Sequence, residues 1–531
     1  MLLLLACHTP DESPAPTDTA EDTGTAIDYS DAIEAVERAV RADLRGGYAS
    51  GASVAVWKEG RIVYAAGFGT KADSSEEEVL PTTLFQVGSD TKKMTAIALL
   101  QQVEAGRLSV DETLGEAIPG LSFATNPALT DELTLHELLS HQSGLFDYTP
   151  WIDEPADEDL EARALGRFAE NEYAPGPSGL YWNYCNPNFS LAGLAVEKAD
   201  GRVWGDVVEQ DVFAPLGMTR TFARQADALA DGDYAVGNGV VFPGGSDTFD
   251  PFETADYTIG EDTDPADGAF IRPAGLVWST ASDMARLGGF LVDGNPEVLS
   301  DELREAITTP YAAMYPAMEP SVIGYGYGMM LNGIGWSGLA GFHEGVRLWL
   351  HGGNTLGMTS TFFVLPDQRV VVSILSNGYG DDFSTTAVTA LEAFADGLPE
   401  PAAETPAILG EAGTGEELAG TWYDPNVLGT LTLTWDGSAL QVSAPDLEAN
   451  GVTVGDTLEP AYADFYLLKL NRVDYDFSWY RGEDGSEYLV NRQMAWKRAD
   501  ENAVRARPAT HPGRLAPPEP DLRERALGLG R

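Results

Sequence analysis

Ser89 and Lys92 stand three residues apart in the string Ser89-Asp90-Thr91-Lys92, where the segment Leu84-Phe85-Gln86-Val87-Gly88 gives way to a run of helix formers. That spacing places a hydroxyl and an amine one helical turn apart on the same face. A serine in the first turn also meets unpaired backbone N–H groups and the positive end of the helix dipole, which favour developing negative charge. Of the seven lysines in the chain, Lys92 alone has a serine three residues before it. A serine hydroxyl is a poor nucleophile until a neighbour takes its proton. Lys92 can take it where a partly buried site keeps the amine neutral when needed. The polar first turn of a core helix would show the same two residues, so the pair needs support from elsewhere in the chain.

Two segments offer it. Tyr184-Cys185-Asn186 brings a phenol able to relay a proton to a leaving group and an amide able to hold Lys92 or a substrate carbonyl. An overlapping copy, Tyr181-Trp182-Asn183, competes with it. His351-Gly352-Gly353-Asn354 leads into a strand at Met358, and paired glycines there let a ligand approach the backbone closely. One N–H from this edge and one from Ser89 would form an oxyanion hole, worth roughly 3–4 kcal/mol per donor in hydrolases.

These residues need a scaffold. Ser30 or Asp31 caps an expected helix carrying Ile33, Val36, Val40 and Leu44, stopped by Gly46-Gly47. Ala52–Trp57 and Ile62–Ala66, joined by Lys58-Glu59-Gly60-Arg61, read as a β-hairpin. The helix after Ser89 contains Ala96-Ile97-Ala98-Leu99-Leu100, apolar nearly all round, which predicts a central, buried element ending at Gly106. Another helix begins near Thr134, with the turn His141-Gln142-Ser143-Gly144-Leu145 beyond it. Residues 225–272, crowded with Asp and Gly, read as a long surface excursion. A helix follows Trp278-Ser279-Thr280-Ala281-Ser282-Asp283. Strands Met358–Leu365 and Arg369–Ser376 flank Pro366-Asp367-Gln368. Strands at both ends and helices between predict an α+β domain over residues 30–397: one antiparallel sheet closed by the two terminal hairpins, flanked by helices, with an all-helical part set over it. Residues 398–415 read as a linker. Short strands such as Leu431–Trp435, Leu440–Val442, Phe465–Leu468 and Tyr488–Val490 predict a small all-β barrel or sandwich over 416–499. Residues 500–531, rich in Arg and Pro, read as a disordered tail.

The net charge of −51 over 531 residues argues against nucleic-acid or anionic-membrane partners and fits a surface adapted to salt water. No run approaches the roughly 20 apolar residues of a membrane-spanning helix. Two cysteines, Cys7 and Cys185, exclude a disulfide framework. Leu4-Leu5-Ala6-Cys7 resembles a bacterial lipoprotein signal cleaved before a lipid-modified cysteine. Its apolar stretch is shorter than the roughly 7–15 residues of a working signal, which leaves two readings, a truncated start or a chance match. Residues 8–29, rich in Thr, Asp, Pro and Ala, suit a disordered tether between an anchor at Cys7 and the folded part.

Taken in order, Ser89/Lys92, Tyr184/Asn186 and His351–Asn354 resemble the serine β-lactamase and penicillin-binding-protein superfamily. The similar branch is the one holding class C β-lactamases, D,D-carboxypeptidases, D-aminopeptidases and related esterases. The flanks are similar too: Phe85-Gln86-Val87-Gly88-Ser89, Ser140 to Leu145, Pro175-Gly176, Phe189-x-Leu191-x-Gly193, Pro215-Leu216-Gly217-Met218-Thr219 and Ala274-Gly275 to Asp283. The register they set favours Tyr184 over Tyr181. The resemblance, covering about residues 30–395, implies that Ser89 is acylated, that Lys92 and Tyr184 share proton transfer, and that Asn186 orients them. It implies that His351, Gly352 and Gly353 line the far wall, that the N–H groups of Ser89 and Asn354 hold the oxyanion, and that no metal or organic cofactor is required. The appended β domain also resembles a tail often attached to such hydrolases.

Lactamases of this branch usually carry Lys-Thr-Gly where this chain has His351-Gly352-Gly353. A lysine there attracts a substrate carboxylate at any physiological pH, whereas a histidine, with an ordinary pKa of roughly 6.5, is mostly neutral above pH 7. Cys185 replaces the usual serine. The expected activity is therefore that of a peptidase or esterase on D-amino-acid peptides, small esters or amides, possible cell-wall peptides among them, at the bacterial cell envelope, lipid-anchored in the periplasm or secreted. The rival readings are a true β-lactamase and a non-catalytic binder or sensor of cell-wall peptides.

Overall fold

Alternation along the first long strand decides the layering. β1 (Gly51–Lys58) sends Ala52, Val54 and Val56 to one side and Ala55 and Trp57 to the other, and all five are buried. A strand buried on both faces needs a layer of helices on each side. In this computed structural model, residues 27–499 are described, apart from 125, 146–154, 158, 171–177, 242–257, 264, 317, 407–409, 425–427, 450, 472 and 492–494.

β1 forms a hairpin with β2 (Arg61–Gly69). The rest of the sheet comes from β3 (Ala312–Ala313), β4 (Ile323–Tyr325), β5 (Met330–Asn332), β6 (Leu348–Asn354), β7 (Thr359–Leu365) and β8 (Val370–Ser376). The order is β2-β1-β8-β7-β6-β5-β4-β3, antiparallel at each step, with Val54 opposite Ile374 and Gly353 opposite Ser360. The two hairpins expected at the ends of the domain thus meet side by side, β1 against β8, one strand in from the edge strand β2. The short strands β3 to β5, two or three residues each, were not legible because they are too brief to show alternation.

One face is covered by α1 (Ser30–Gly46), through Val36 and Val40, and by α5 (Ser384–Phe394), through Ala387, Ala390 and Leu391. The expected cap of α1 is corrected: Ser30 is its first helical residue, and its N–H is met by Asp28 Oδ1 at 3.0 Å. The other face carries α4 (Ala281–Asp293) and the helical layer built on α2 (Thr91–Glu104) and α3 (Asn186–Asp200). As its composition predicts, α2 is buried over most of its length. Thr134 starts the short helix Leu135–Leu139 through a reciprocal box with Glu137. The described residues of the stretch read as a surface excursion include regular and buried parts. They hold a helix, Gln225–Asp231, and the paired strands Gly237–Val241 and Thr258–Thr263, and the end, Ala266 to Arg272, is buried apart from the half-buried Asp267.

Beyond the sheet, eight short strands between Gly420 and Arg498 close into a barrel. Its interior is filled by Trp422, Leu431, Leu433, Leu458, Leu468, Phe477, Leu489 and Trp496. The barrel rests on the domain that holds the large sheet: Tyr480, Tyr488 and Val490 pack around Tyr181, and Phe465 against Tyr315. No described helix is long and apolar enough to cross a membrane. Cys7, the tether as far as residue 26 and the tail lie outside the described residues, while Tyr29, at the end of the expected tether, packs against Phe394.

α3 carries one acidic group at odds with its surroundings. Glu197 accepts the Trp204 N–H at 2.7 Å, and burial, reinforced by the charge of Asp157, pushes its carboxyl up to about 7. A carboxyl raised on folding stabilises the native state at low pH. That stabilisation fades as pH climbs from its ordinary 4.5 through about 7. Glu197→Gln keeps the acceptor and removes the charge. The stability of the variant relative to wild type, from urea unfolding, is expected to rise steadily between pH 5 and 7.5; parallel curves would contradict this.

Candidate active site

Ser89 is delivered by a turn held on both flanks. Phe85-Gln86 pairs with Trp278-Ser279, Val87 N–H donates to Val277 O at 2.9 Å, and Gln86 Nε2 reaches Ala266 O at 2.7 Å. Gly88 then takes φ +52°, a left-handed conformation open to few other residues. Gly88–Asp90 forms a single 3₁₀ turn, and α2 begins at Thr91. Ser89 thus sits in the turn leading into the helix rather than in its first α-helical turn.

Lys92 has no solvent exposure. Its Nζ lies 2.9 Å from Ser89 Oγ, 2.6 Å from Asn186 Oδ1 and 3.0 Å from Ala274 O. Asn186 is the first residue of α3, which starts because Cys185 is extended and Pro187 favours the first turn. Ala274 belongs to the short helix Arg272–Gly275, docked on α2 by Thr95 Oγ1 donating to Pro273 O at 2.6 Å. Gly193 of α3 permits this approach, since a Cβ there would stand 2.6 Å from the Pro273 ring. Three segments far apart in sequence therefore meet at one nitrogen.

Tyr184 is fully buried, its ring centroid 4.7 Å from Lys92 Nζ. It is boxed by His141, whose ring is 4.3 Å away, and by Trp182, Tyr325 and His351. The competing copy goes elsewhere. Tyr181 points into the barrel contact, and Asn183 accepts from Gly144 N–H at 2.9 Å and donates to Leu145 O at 2.8 Å, fastening the His141–Leu145 turn. His141, at φ +57°, accepts the Cys185 N–H at 3.3 Å. Cys185 is buried.

The far wall is the end of β6. Gly353 leaves no room for a side chain: a Cβ would meet Val87 O at 2.2 Å and Ser89 N at 2.5 Å, and one on Gly88 would meet Asn354 N at 2.6 Å. The backbones bearing the Ser89 and Asn354 N–H groups are thus in direct contact. The Asn354 side chain faces the scaffold, accepting from Thr359 Oγ1 at 2.8 Å and Gly380 N–H at 3.2 Å. His351 is buried, with Nε2 3.0 Å from Tyr325 Oη and Nδ1 against the Gly352 backbone. Ala274 O, His141 and Tyr325 carried no role in the sequence reading. Any residue supplies a carbonyl, and isolated aromatic residues have no spacing to betray them. Beyond Trp182 a cleft of about 460 Å³ opens between the two domains, bordered by Tyr311, Pro320, Trp479 and Arg481.

Gly353→Ala tests the close approach without touching a side chain of the site. Pushing β6 away from Ser89 would displace one of the two N–H groups expected to form an oxyanion hole, so kcat should fall by about 10²-fold or more for any acyl substrate. A variant that folds and keeps its kcat would show that this contact does not matter to turnover.

Residues 36–396 match the family described as Beta-lactamase. Penicillin-binding protein 4* of Bacillus subtilis (strain 168) is 26% identical over 465 residues, 84% of this chain and 93% of that protein. Among solved structures, SurE aligns with a TM-score of 0.63 at 21% identity over 88% of this chain and 99% of its own, and it has also been solved with D-Leu. A class C β-lactamase aligns with a TM-score of 0.55 at 19% identity, over 70% of this chain and 98% of its own. With over half its length matched, the chain belongs to the Beta-lactamase family of serine hydrolases and penicillin-binding proteins.

Proposed function

We propose that the protein is a serine hydrolase working through an acyl-enzyme on Ser89, with D-amino-acid peptides, small esters or amides as substrates. The observation that carries this is the 2.9 Å approach of Lys92 Nζ to Ser89 Oγ inside a buried cluster. Neutral Lys92 takes the hydroxyl proton as Oγ attacks the substrate carbonyl. The resulting oxyanion is held by the N–H groups of Ser89 and Asn354. Collapse expels the alcohol or amine, protonated through Tyr184, and leaves the acyl group on Ser89. Water attacks the ester by the reverse proton route, releasing the acid and restoring the hydroxyl. Asn186, by fixing Nζ at 2.6 Å, keeps the amine aimed at Oγ.

His351 supports a peptidase or esterase over an efficient β-lactamase. It stands where a permanent positive charge would grip a carboxylate, and its Nε2 is already engaged with Tyr325 Oη. Substrates bearing D-residues are favoured by analogy with SurE, solved with D-Leu. A place at the bacterial cell envelope, with Cys7 as a lipid anchor, fits the lipoprotein-like string at the start of the chain.

The test is a panel: a p-nitrophenyl ester, a D-Ala-D-Ala peptide and a fluorescent penicillin, each with wild type and Ser89→Ala. Turnover of ester or peptide, reduced at least about 10³-fold in the variant, is expected, with slow or no release of the penicillin label. Rapid penicillin turnover would instead establish a β-lactamase. Label retained with no turnover of anything would establish a sensor, and equal rates in both proteins would remove Ser89 from the mechanism.

A further inference from the structure

Beneath the nucleophile turn lies a pair of opposite charges that the reaction above does not use. Asp90 follows Ser89 and Lys93 follows Lys92; the two form an ion pair across one helical turn, with side chains 1% and 0% exposed. Neither is left to the core alone. Ser360 Oγ donates to Asp90 Oδ2 at 2.6 Å and lies 2.8 Å from Val87 O. Lys93 Nζ sits 4.2 Å from the centre of the Phe362 ring. Both contacts come from β7, and the register is informative: Ser360 is opposite Gly353 and Phe362 is opposite His351.

Two buried ions are a costly way to fill space, and well-packed apolar residues of the same volume usually do as well or better. What the pair adds is direction. The two N–H groups assigned to the oxyanion hole belong to different elements, Ser89 to the turn before α2 and Asn354 to β6. Apolar contact between these elements leaves their separation free to drift by fractions of an ångström. A charge-assisted hydrogen bond from β7 to the residue beside Ser89 does not. Asp90 must offer one carboxylate oxygen to Ser360 and the other to Lys93, and the ammonium is the counter-charge that allows a carboxylate in so dry a place.

We propose that Asp90, Lys93 and Ser360 are positioning residues: a buried clamp that locks the Ser89 turn to β7, and through the Ser360–Gly353 pairing to β6, and so sets the width of the oxyanion hole. The inference rests on the assignment of Ser89 as nucleophile.

The test compares wild type, Ser360→Ala, and the charge-free double variant Asp90→Leu/Lys93→Met, which keeps the volume without leaving one ion alone. Readouts are kcat and KM on a p-nitrophenyl ester, inhibition by phenylboronic acid, whose tetrahedral adduct on a serine places an oxygen in the hole, and thermal unfolding. Both variants should lose about 10- to 100-fold in kcat with KM changed less than about three-fold, and phenylboronic acid should weaken in proportion to kcat. A fall in melting temperature alone, with kcat and boronate affinity kept in the double variant, would overturn the clamp. Ser89→Ala run beside them separates the two claims. If it keeps wild-type turnover, the nucleophile assignment fails. If it is inactive while the clamp variants match wild type, only the clamp fails.

Discussion

An amine sealed from water must find its hydrogen-bond acceptors within the protein. For Lys92 these are a hydroxyl in the turn just before its helix, an amide at the start of α3 and a carbonyl of the 272–275 helix. The requirement reaches outward. α2 has to be central and apolar on nearly every side, α3 has to begin at Asn186, and Gly193 has to let the third segment close in. If any of these fails, the amine either gains solvent or loses the contact that aims it at Ser89 Oγ.

The second constraint is the absence of Cβ atoms at Gly88 and Gly353. It allows a helix entrance and a strand end to touch through their backbones, which is how two N–H donors from remote parts of the chain come to share one small space. The sheet makes this reproducible: β6 is pinned between β5 and β7, and β7 in turn reaches under the turn through Ser360. Aromatic side chains then close the site, Tyr184 meeting His141, Trp182, Tyr325 and His351. The barrel, packed solid inside, contributes only its outer surface, where Tyr480 and Tyr488 hold Tyr181.

How much of this could be read beforehand depended on the range of the interaction. Ser89 and Lys92 are local, three residues apart, and their spacing announces them. Tyr184 and Asn186 needed the flanking Pro175-Gly176 and Phe189-x-Leu191-x-Gly193 to be told from the overlapping copy at Tyr181. The Ala274 carbonyl had no chemical label, and Tyr325 finds His351 only because β4 and β6 lie on either side of β5. Asp90 stood in the string between Ser89 and Lys92 with no role of its own, and nothing in the sequence singled out Lys93; that the two are buried together, with Ser360 some 270 residues on bonded to Asp90, shows only in the fold. Likewise the strands around Leu431 and Leu433 were evident from alternation, whereas closure into a barrel depends on Trp422 pairing across to Arg498. The short strands between Ala312 and Asn332 are stabilised by their neighbours more than by their own sequence, so pattern could not reveal them.

The most direct measurement is the mass of the protein after brief exposure to an activated acyl donor such as a p-nitrophenyl ester or benzylpenicillin, followed by peptide mapping. One acyl group on the peptide holding Ser89, absent from Ser89→Ala and formed far more slowly in Lys92→Ala, is the predicted result. An adduct elsewhere, or labelling at an unchanged rate without the Lys92 amine, would contradict the account.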